Sequence, residues 1–182
     1  MSRRSGLQVR FATEDDLAAV CKVVNYFIEK SFVNFRTEPQ DVDEWRNDWR
    51  RLHGRFPWLV ATDGRVVGVA YAAPFHGRAA YQWTAEATVY VDPSSQRRGV
   101  GDALYTELMA RLHRQGFHSV VGVIALPNEP SVRLHERHGF IRAGHLVEAG
   151  HKHGAWRDVG FWQCTLDGGN DMSPPRPIEV GR

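Results

Sequence analysis

A glycine-rich turn, Gln96-Arg97-Arg98-Gly99-Val100-Gly101, joins the apolar run Ala87–Val91 to a segment whose apolar residues recur at helical spacing. Backbone N–H groups at a helix N-terminus have no intrahelical partner, and the helix dipole adds partial positive charge there. Glycine residues also let an anion approach the main chain closely. The turn therefore predicts a phosphate site between a strand and a helix. The alternative interpretation is a turn that only starts the helix.

Two common phosphate loops do not match this turn. A dinucleotide-binding fingerprint needs a third small residue at position 104, where the chain has Leu104, and a Walker loop needs a Lys-Ser/Thr pair that is absent. The stretch resembles instead the Gln/Arg-x-x-Gly-x-Gly/Ala signature of the GCN5-related N-acetyltransferase (GNAT) superfamily. In that superfamily the loop holds the pyrophosphate of acetyl-coenzyme A.

Further segments resemble the same superfamily in the same order. Pro127–Phe140 resembles its Asn-x-x-Ser/Ala-x-x-Leu-Tyr/His-Glu-x-x-Gly-Phe motif. Three other segments resemble one branch, the phosphinothricin N-acetyltransferases: Val33–Pro39, Tyr81–Glu86 and Lys152–Gln163. The resemblance extends from Leu7 to Leu166. It implies a transferase that acetylates an amino-acid amine.

The composition indicates a small globular protein with small-molecule partners. A chain of 182 residues is long enough for one domain with one core. Its 42% hydrophobic and 24% charged residues argue against a disordered or membrane protein. With a net charge of +2, no basic block indicates nucleic acid. We predict one domain over residues 1–166 and, from its glycine and proline residues, a flexible tail over 167–182.

The N-terminal residues and the cysteines predict a cytoplasmic protein without a metal. Arg3-Arg4 could begin a twin-arginine signal, but acidic residues follow at positions 14–16, where such a signal needs an apolar stretch. Cys21 and Cys164 lack metal-ligand spacing, and we interpret both as structural. The alternative for either cysteine is an acyl-cysteine intermediate, which would need a thiolate of low pKa.

Hydrophobic periodicity predicts an α/β fold. Strands are predicted over residues 7–11, 58–61, 66–73, 84–91, 119–126, 140–147 and 156–166, and helices over 17–28, 42–52, 99–115 and 128–139. The superfamily resemblance implies that these elements form a mixed, mostly antiparallel sheet flanked by helices. In the implied fold the sheet splays between its fourth and fifth strands, and acetyl-coenzyme A enters the resulting cleft.

The resemblance also implies which residues bind acetyl-coenzyme A. The main chain of the fourth strand would hold the pantetheine arm, the glycine-rich turn the pyrophosphate, and the start of the last helix the thiol end. The residues concerned are Val89, Val91, Arg97, Arg98, Gly99, Val100, Gly101, Asn128 and Ser131. Either arginine could instead be plain surface charge.

Two side chains are predicted to act in catalysis. An amino-acid amine is mostly protonated at neutral pH, so a base must remove a proton before the amine can attack a thioester. Glu86 stands in an apolar strand at the position of the family's base, and burial would raise its pKa. His135 stands where many relatives have a tyrosine, and it could act as an acid or a hydrogen-bond donor. The alternatives are a solvated or ion-paired Glu86 and a structural His135.

The acceptor site is predicted from the same branch. Positions that match its substrate-site residues are Phe35, Arg78, Tyr81 and Val159, with Arg36, Thr37 and Tyr71 as further candidates. The chain departs from the branch at His76, where a lysine is expected, and His is largely neutral at pH 7. Methionine sulfoximine and methionine sulfone therefore stay open as substrates beside phosphinothricin.

Other functions remain open at this stage. A non-catalytic acyl-coenzyme A-binding module would keep the loop but would not need Glu86 and His135. An enzyme that acetylates protein N-termini or ribosomal lysines would need an open peptide groove, which Phe35, Arg78 and Tyr81 are expected to close. The resemblance also implies a homodimer, with Lys152–Trp156 as a candidate contact.

Overall fold

A computed structural model of the protein describes residues 6–166. The predicted tail over residues 167–182 lies outside the described residues, and the single domain over residues 1–166 stays a prediction. The strands are β1 (Gln8–Phe11), β2 (Trp58–Thr62), β3 (Val66–Pro74), β4 (Thr84–Val91), β5 (Ser119–Leu126), β6 (Ile141–Lys152) and β7 (Ala155–Thr165). The α-helices are α1 (Leu17–Lys30), α2 (Val42–Leu52), α3 (Val100–Gln115) and α4 (Glu129–Arg137).

The strands form one mixed sheet in the order β1-β2-β3-β4-β5-β7-β6. Neighbouring strands run antiparallel except β4 and β5, which are parallel. The β4–β5 ladder has only three residue pairs and ends at Glu86 opposite Val121, although both strands continue. The sheet therefore splays between its fourth and fifth strands, as predicted.

Helices cover both faces of the sheet. On one face, the apolar side of α3 packs Leu104, Tyr105 and Leu108 against β-strand residues in the larger core. On the other face, α1 and α2 form a second core, in which Trp45 meets the Trp58 ring edge-on at 5.8 Å. The helices predicted over residues 17–28 and 42–52 are thus confirmed, and both contribute apolar residues to this core.

A glycine residue flanks α3 at each end. Gly99 precedes its first residue with a φ of +78°, and Gly116 follows its last residue with a φ of +94°. L-residues with side chains rarely adopt these left-handed angles, which glycine accepts at little cost. The strand-to-helix turn is therefore built around Gly99.

The sixth strand is longer than predicted. It continues to Lys152 rather than ending at Val147, with an irregular register between Leu146 and Gly150 where Glu148 has a φ of +49°. The turn to β7 then has positive φ at both His153 and Gly154, as two-residue hairpin turns require. Polar residues and the bulge interrupt the period-two pattern after Val147. The sequence therefore did not predict the second half of the strand.

Candidate active site

A cleft of about 930 Å³ opens where β4 and β5 separate. It has two ends, which we name by the parts that line them. The phosphate end is formed by the turn over residues 96–101 with the beginning of α3 and α4. The acceptor end is formed by side chains from α1, the loop after α1, β3, β4 and β7. Thirteen of the predicted site residues line the cleft: Phe35, Tyr71, Glu86, Val89, Val91, Arg97, Gly99, Val100, Gly101, Asn128, Ser131, His135 and Val159.

Main-chain groups dominate the phosphate end. The amide of Ala103 donates to the carbonyl of Gly99 at 3.0 Å, so the amides that precede Ala103 at the start of α3 have no acceptor within the helix. A side chain at position 101 would crowd Leu134, because a Cβ there would lie 3.3 Å from a Leu134 methyl carbon. The geometry fits a phosphate group held by amides at a helix N-terminus.

The two arginines of the turn take different directions. Arg97 adopts a φ of +58° and lines the cleft. Arg98 does not line it, because its guanidinium donates to Asp63 at 2.9 Å on the surface outside. The structure thus favours the surface-charge interpretation for the Arg98 side chain and leaves Arg97 as the turn's cation at the phosphate end. A contact between the Arg98 amide and the pyrophosphate stays a prediction.

One edge of β4 faces the cleft beyond Glu86. Val89 and Val91 pair with β3 on one side, opposite Ala70 and Gly68. On the other side the ladder to β5 has already ended. Their main-chain groups on that edge are therefore placed to bond an extended molecule that enters between the strands.

The start of α4 also borders the cleft. The side chain of Asn128 accepts a hydrogen bond from the amide of Ser131 at 3.3 Å and caps the helix. His135, one turn later, is buried, and its ring occupies the space above Gly122, where a Cβ would come within 2.3 Å of Nε2. Glycine at position 122 of an otherwise apolar strand is thus explained by His135.

Both ring nitrogens of His135 are hydrogen-bonded. Nδ1 lies 2.8 Å from the carbonyl oxygen of Ser131, and Nε2 lies 2.7 Å from the hydroxyl of Tyr105. Burial lowers the pKa of His135, so we assign a neutral ring that donates from Nδ1 and accepts from Tyr105 at Nε2. This arrangement favours the structural alternative. The predicted role as an acid would require the Nδ1 proton to leave the Ser131 carbonyl.

Glu86 lies at the point where the sheet splays. It is the last residue of β4 that pairs with β5, and its neighbours Ala85 and Ala87 are buried in the core on the opposite face. The side chain is half-buried and lines the cleft, and burial raises the pKa of its carboxyl. A carboxylate of raised pKa beside a cleft has the properties of a general base.

Aromatic and polar side chains surround Glu86 at the acceptor end. Asn34 donates to the hydroxyl of Tyr90 at 2.9 Å, and the rings of Phe27 and Tyr90 lie 5.3 Å apart. Burial raises the pKa of Tyr90 to about 12, and the charge of Arg36 acts in the opposite direction on it. Arg36 acts on Tyr71 in the same way. The positive charge of Arg36 therefore acts on two side chains that line the acceptor end, Tyr71 and Tyr90.

Two predicted substrate residues lie outside the cleft. Arg78 is exposed in the segment before β4. The ring centroid of Tyr81 lies 5.1 Å from that of His76 and 5.8 Å from that of Phe75. Tyr81 therefore packs against residues of its own loop. The structure thus does not bring Arg78 and Tyr81 to the other site residues.

Several cleft residues were not found from the sequence. Tyr90 follows Glu86 and Thr88 on the same face of β4, so period-two alternation could have indicated it. Arg133 and Arg137 stand one turn apart on α4 at the phosphate end, and i,i+4 spacing could have indicated that they share a face. Asn34 offered no local signal.

The cysteines lie away from the cleft lining. Cys21 is buried and donates to the carbonyl of Gln40 at 3.2 Å, and Cys164 is half-buried. Burial raises the pKa of both thiols, so neither favours the thiolate that acyl transfer would need. Within residues 6–166, no group of three or more His, Cys, Asp or Glu residues is placed to hold a metal ion. No helix in that range is long and apolar enough to cross a membrane.

Comparison with known proteins identifies the family. The model of the acetyltransferase (GNAT) family matches residues 22–140, which include the turn, Glu86 and α4. The chain belongs to the GNAT family. This confirms the predicted fold class, and it confirms acetyl-coenzyme A-dependent acyl transfer at the level of the family.

Relatives of this GNAT chain match nearly its whole length. It is 54% identical over 176 residues to a phosphinothricin N-acetyltransferase of Streptomyces viridochromogenes, covering 96% of this chain and 94% of the relative. It is 32% identical over 165 residues to an L-methionine sulfoximine/L-methionine sulfone acetyltransferase of Salmonella typhimurium, covering 88% and 95%. The solved phosphinothricin acetyltransferase of Sinorhizobium meliloti, in complex with acetyl-coenzyme A, superposes with a TM-score of 0.89 at 30% identity, covering 93% of each chain.

Proposed function

We propose that the protein transfers the acetyl group of acetyl-coenzyme A to the α-amine of phosphinothricin or demethylphosphinothricin, by direct attack in a ternary complex. The observation that carries this proposal is the position of Glu86. It is a half-buried carboxyl with a raised pKa, located where the sheet splays, at the acceptor end of the same cleft that contains the phosphate end. The relative that is 54% identical supports the choice of acceptor.

The donor would lie along the cleft from the turn to α4. Amides of residues 99–101 and the Arg97 guanidinium would bind the pyrophosphate, and the β4 edge at Val89 and Val91 would bond the pantetheine arm. Asn128 and Ser131 would border the thiol end. When bound, acetyl-coenzyme A supplies an activated thioester carbonyl. The protein's part is to hold that carbonyl near Glu86.

Glu86 would accept the proton of the acceptor's ammonium group, directly or through one water molecule. Burial raises the pKa of its carboxyl, which makes the carboxylate a stronger base. We propose no proton donation by His135, because both ring nitrogens are already hydrogen-bonded. A catalytic role for His135 stays a prediction.

The acceptor end would recognise an amino acid that carries a second anionic group. Arg36 supplies positive charge, and Phe35 and Val159 supply apolar walls. The hydroxyls of Tyr71 and Tyr90 stay protonated at neutral pH, because burial raises both pKa values, and they can donate hydrogen bonds. Arg78 and Tyr81 are not part of this proposal, since neither lines the cleft.

Release of free thiol from acetyl-coenzyme A tests the proposal, measured with L-phosphinothricin and, in parallel, with L-methionine sulfoximine. The quantity to compare is kcat/KM. We expect a clear preference for phosphinothricin. Turnover with a tripeptide but neither analogue would indicate a protein N-terminal acetyltransferase. Acetyl-coenzyme A binding without turnover of any amine would indicate a non-catalytic binding module.

A second candidate acceptor is methionine sulfoximine or methionine sulfone. The specific observation in its favour is His76, which stands where the phosphinothricin branch is expected to have a lysine. The relative from Salmonella typhimurium, at 32% identity, carries this activity in its name. A higher kcat/KM for the sulfoximine would select this candidate.

The wider role is proposed on the same basis. Acetylation of phosphinothricin would detoxify it and confer resistance in the cytoplasm, which expression in a sensitive bacterium would test by growth. We also propose a homodimer. Four large apolar side chains on β6 and β7 are exposed and could be covered by a second copy of the chain: Ile141, Leu146, Val147 and Trp156. Light scattering of the purified protein would measure the oligomeric state.

A further inference from the structure

Lys152 is a buried lysine whose hydrogen bonds go to main-chain carbonyls. It is only 6% exposed, and its ammonium donates to the carbonyl oxygens of Ile28, Asn34 and Arg36, each at 2.6 Å. Lys152 is the last residue of β6, and its three acceptors precede it by more than a hundred residues in the sequence. The three acceptors belong to the end of α1 and to the loop that follows it.

Burying an ammonium group is costly unless hydrogen bonds replace its hydration. Here three carbonyls use all three of its N–H donors, and the C-terminal end of α1, where Ile28 lies, adds a favourable dipole. Burial nevertheless lowers the pKa of Lys152. An apolar residue could fill this space at lower cost if packing were the only requirement, so the charge indicates a need to hold these carbonyls.

The held carbonyls flank Phe35. Asn34 and Arg36 are its two chain neighbours, and the Phe35 ring itself lies against Gly150, two residues before Lys152 on the same face of β6. A Cβ at position 150 would approach the ring to 2.2 Å. The end of β6 thus fixes both the main chain around Phe35 and the position of its ring.

The same loop supplies much of the acceptor end. Asn34 and Phe35 line the cleft, and the charge of Arg36 acts on Tyr71 and Tyr90, which are half-buried and line the cleft with Glu86. The side chain of Asn34 and the carbonyl of Ser31 have further contacts, with Tyr90 and His153, but Lys152 binds the main chain on both sides of Phe35. The position of this loop relative to Glu86 therefore depends on β6. That strand forms one edge of the sheet and is separated from β4 by β5 and β7.

We propose that Lys152 is a positioning residue for the acceptor: it fixes the main chain on both sides of Phe35 and so sets the shape and charge of the acceptor end. The proposal rests on the proposed function, because it assumes that an amino acid binds there. Lys152 does not line the cleft, so it would touch neither the acceptor nor acetyl-coenzyme A. Its effect is confined to the acceptor end, since the phosphate end is built from other elements.

The test is Lys152→Met, which keeps most of the apolar stem and removes the three donors. Hydrogen bonds from charged groups contribute enough that their loss should raise the KM for L-phosphinothricin about tenfold or more. The KM for acetyl-coenzyme A should stay within about twofold, because the phosphate end is unchanged. Amide hydrogen exchange should become faster over residues 33–36 and stay the same over residues 97–103.

Lys30→Met is the matched control. Lys30 stands in the last turn of α1 and is exposed, so the same chemical change removes a charge near the same helix end without releasing the loop. It should leave both KM values and the exchange pattern unaltered. Gly150→Ala is a second test variant that keeps Lys152 and displaces the Phe35 ring. It should also raise the acceptor KM, and it serves if Lys152→Met does not fold.

A Lys152→Met enzyme with a lower Tm but an unchanged acceptor KM and unchanged loop exchange would overturn the proposal, because Lys152 would then only stabilise the fold. A wild-type protein that turns over no amino-acid analogue would overturn the proposed function instead. In that case the exchange measurement would still decide whether Lys152 holds the loop, so the two failures can be told apart.

Discussion

The phosphate end of the cleft presents main-chain amides from one continuous stretch, residues 99–101. The acceptor end presents side chains that come from α1, the following loop, β3, β4 and β7. The first end needs only one strand-to-helix turn to form correctly. The second depends on the relative placement of several elements. Binding of the donor is therefore expected to tolerate side-chain changes, whereas acceptor binding and chemistry should depend on individual side chains.

The largest effect should come from the acceptor end, with Glu86→Gln. This change removes the proposed base and keeps the size of the side chain, so kcat should fall by about 10²–10⁴-fold. Affinity for acetyl-coenzyme A should stay near wild type, because the amides of the turn are untouched. Steady-state kinetics and calorimetric titration measure the two quantities separately.

Glu107→Gln is the control, since Glu107 pairs with Arg111 and Arg114 on the surface of α3 outside the cleft lining. It should be fully active. Unchanged turnover in Glu86→Gln would remove the carboxylate from the mechanism. Loss of acetyl-coenzyme A binding in that variant would show that the two ends are not separable.

Between the two ends, Tyr105→Phe tests whether His135 is structural. The change removes the donor to Nε2 and leaves a buried acceptor without it, which should cost about 1–3 kcal/mol of unfolding free energy. Denaturant unfolding measures the cost. Tyr26→Phe, on the exposed side of α1, should cost nothing measurable. A stable Tyr105→Phe variant with a large loss of kcat would instead support a catalytic role for the pair.

At the phosphate end, two neighbouring arginines should behave differently. Arg97→Ala removes an exposed charge from the cleft and should weaken acetyl-coenzyme A binding by about 2–5-fold, less so at high salt. Arg98→Ala breaks only the pair with Asp63 and should leave the affinity unchanged. Titrations of both variants at low and high salt make the comparison. Equal losses would mean that Arg98 turns into the cleft when the donor binds.

The smallest effect is on stability. A carboxyl whose pKa is raised by burial binds its proton more tightly in the folded state than in the unfolded state. Glu86 therefore contributes stability below its ordinary pKa, and this contribution is lost as pH rises through the raised value. Glu86→Gln should consequently melt above wild type at pH 7, and the gap should close in acid. A variant that melts below wild type at pH 7 would point to a favourable partner for the carboxylate.

The difference between the two ends also explains what the sequence could predict. The turn and α4 could be predicted because their motifs are local and depend on residue types such as Gly99 and Asn128. Glu86 could be predicted because a carboxylate in an apolar strand is conspicuous. The contacts of Arg98 with Asp63 and of Tyr81 with His76 could not, because they depend on which of several surface partners a long side chain meets.

The contacts of Lys152 could not be predicted from the sequence either. Its acceptors lie in another part of the chain, and the strand that carries it was predicted to end at Val147, because Glu148 and the bulge interrupt the alternation. Sequence patterns describe which face of an element is buried. They do not show which distant carbonyl a buried ammonium will meet, and the acceptor end is built from contacts of that kind.

The most direct measurement is a crystal structure of the Glu86→Gln variant with acetyl-coenzyme A and L-phosphinothricin, since slow turnover should preserve the ternary complex. We expect the pyrophosphate against the amides of residues 99–101, and the acceptor amine within hydrogen-bond distance of the residue 86 side chain, directly or through one water molecule. An acceptor amine beside any other carboxylate or beside His135, with residue 86 pointing away, would contradict the account.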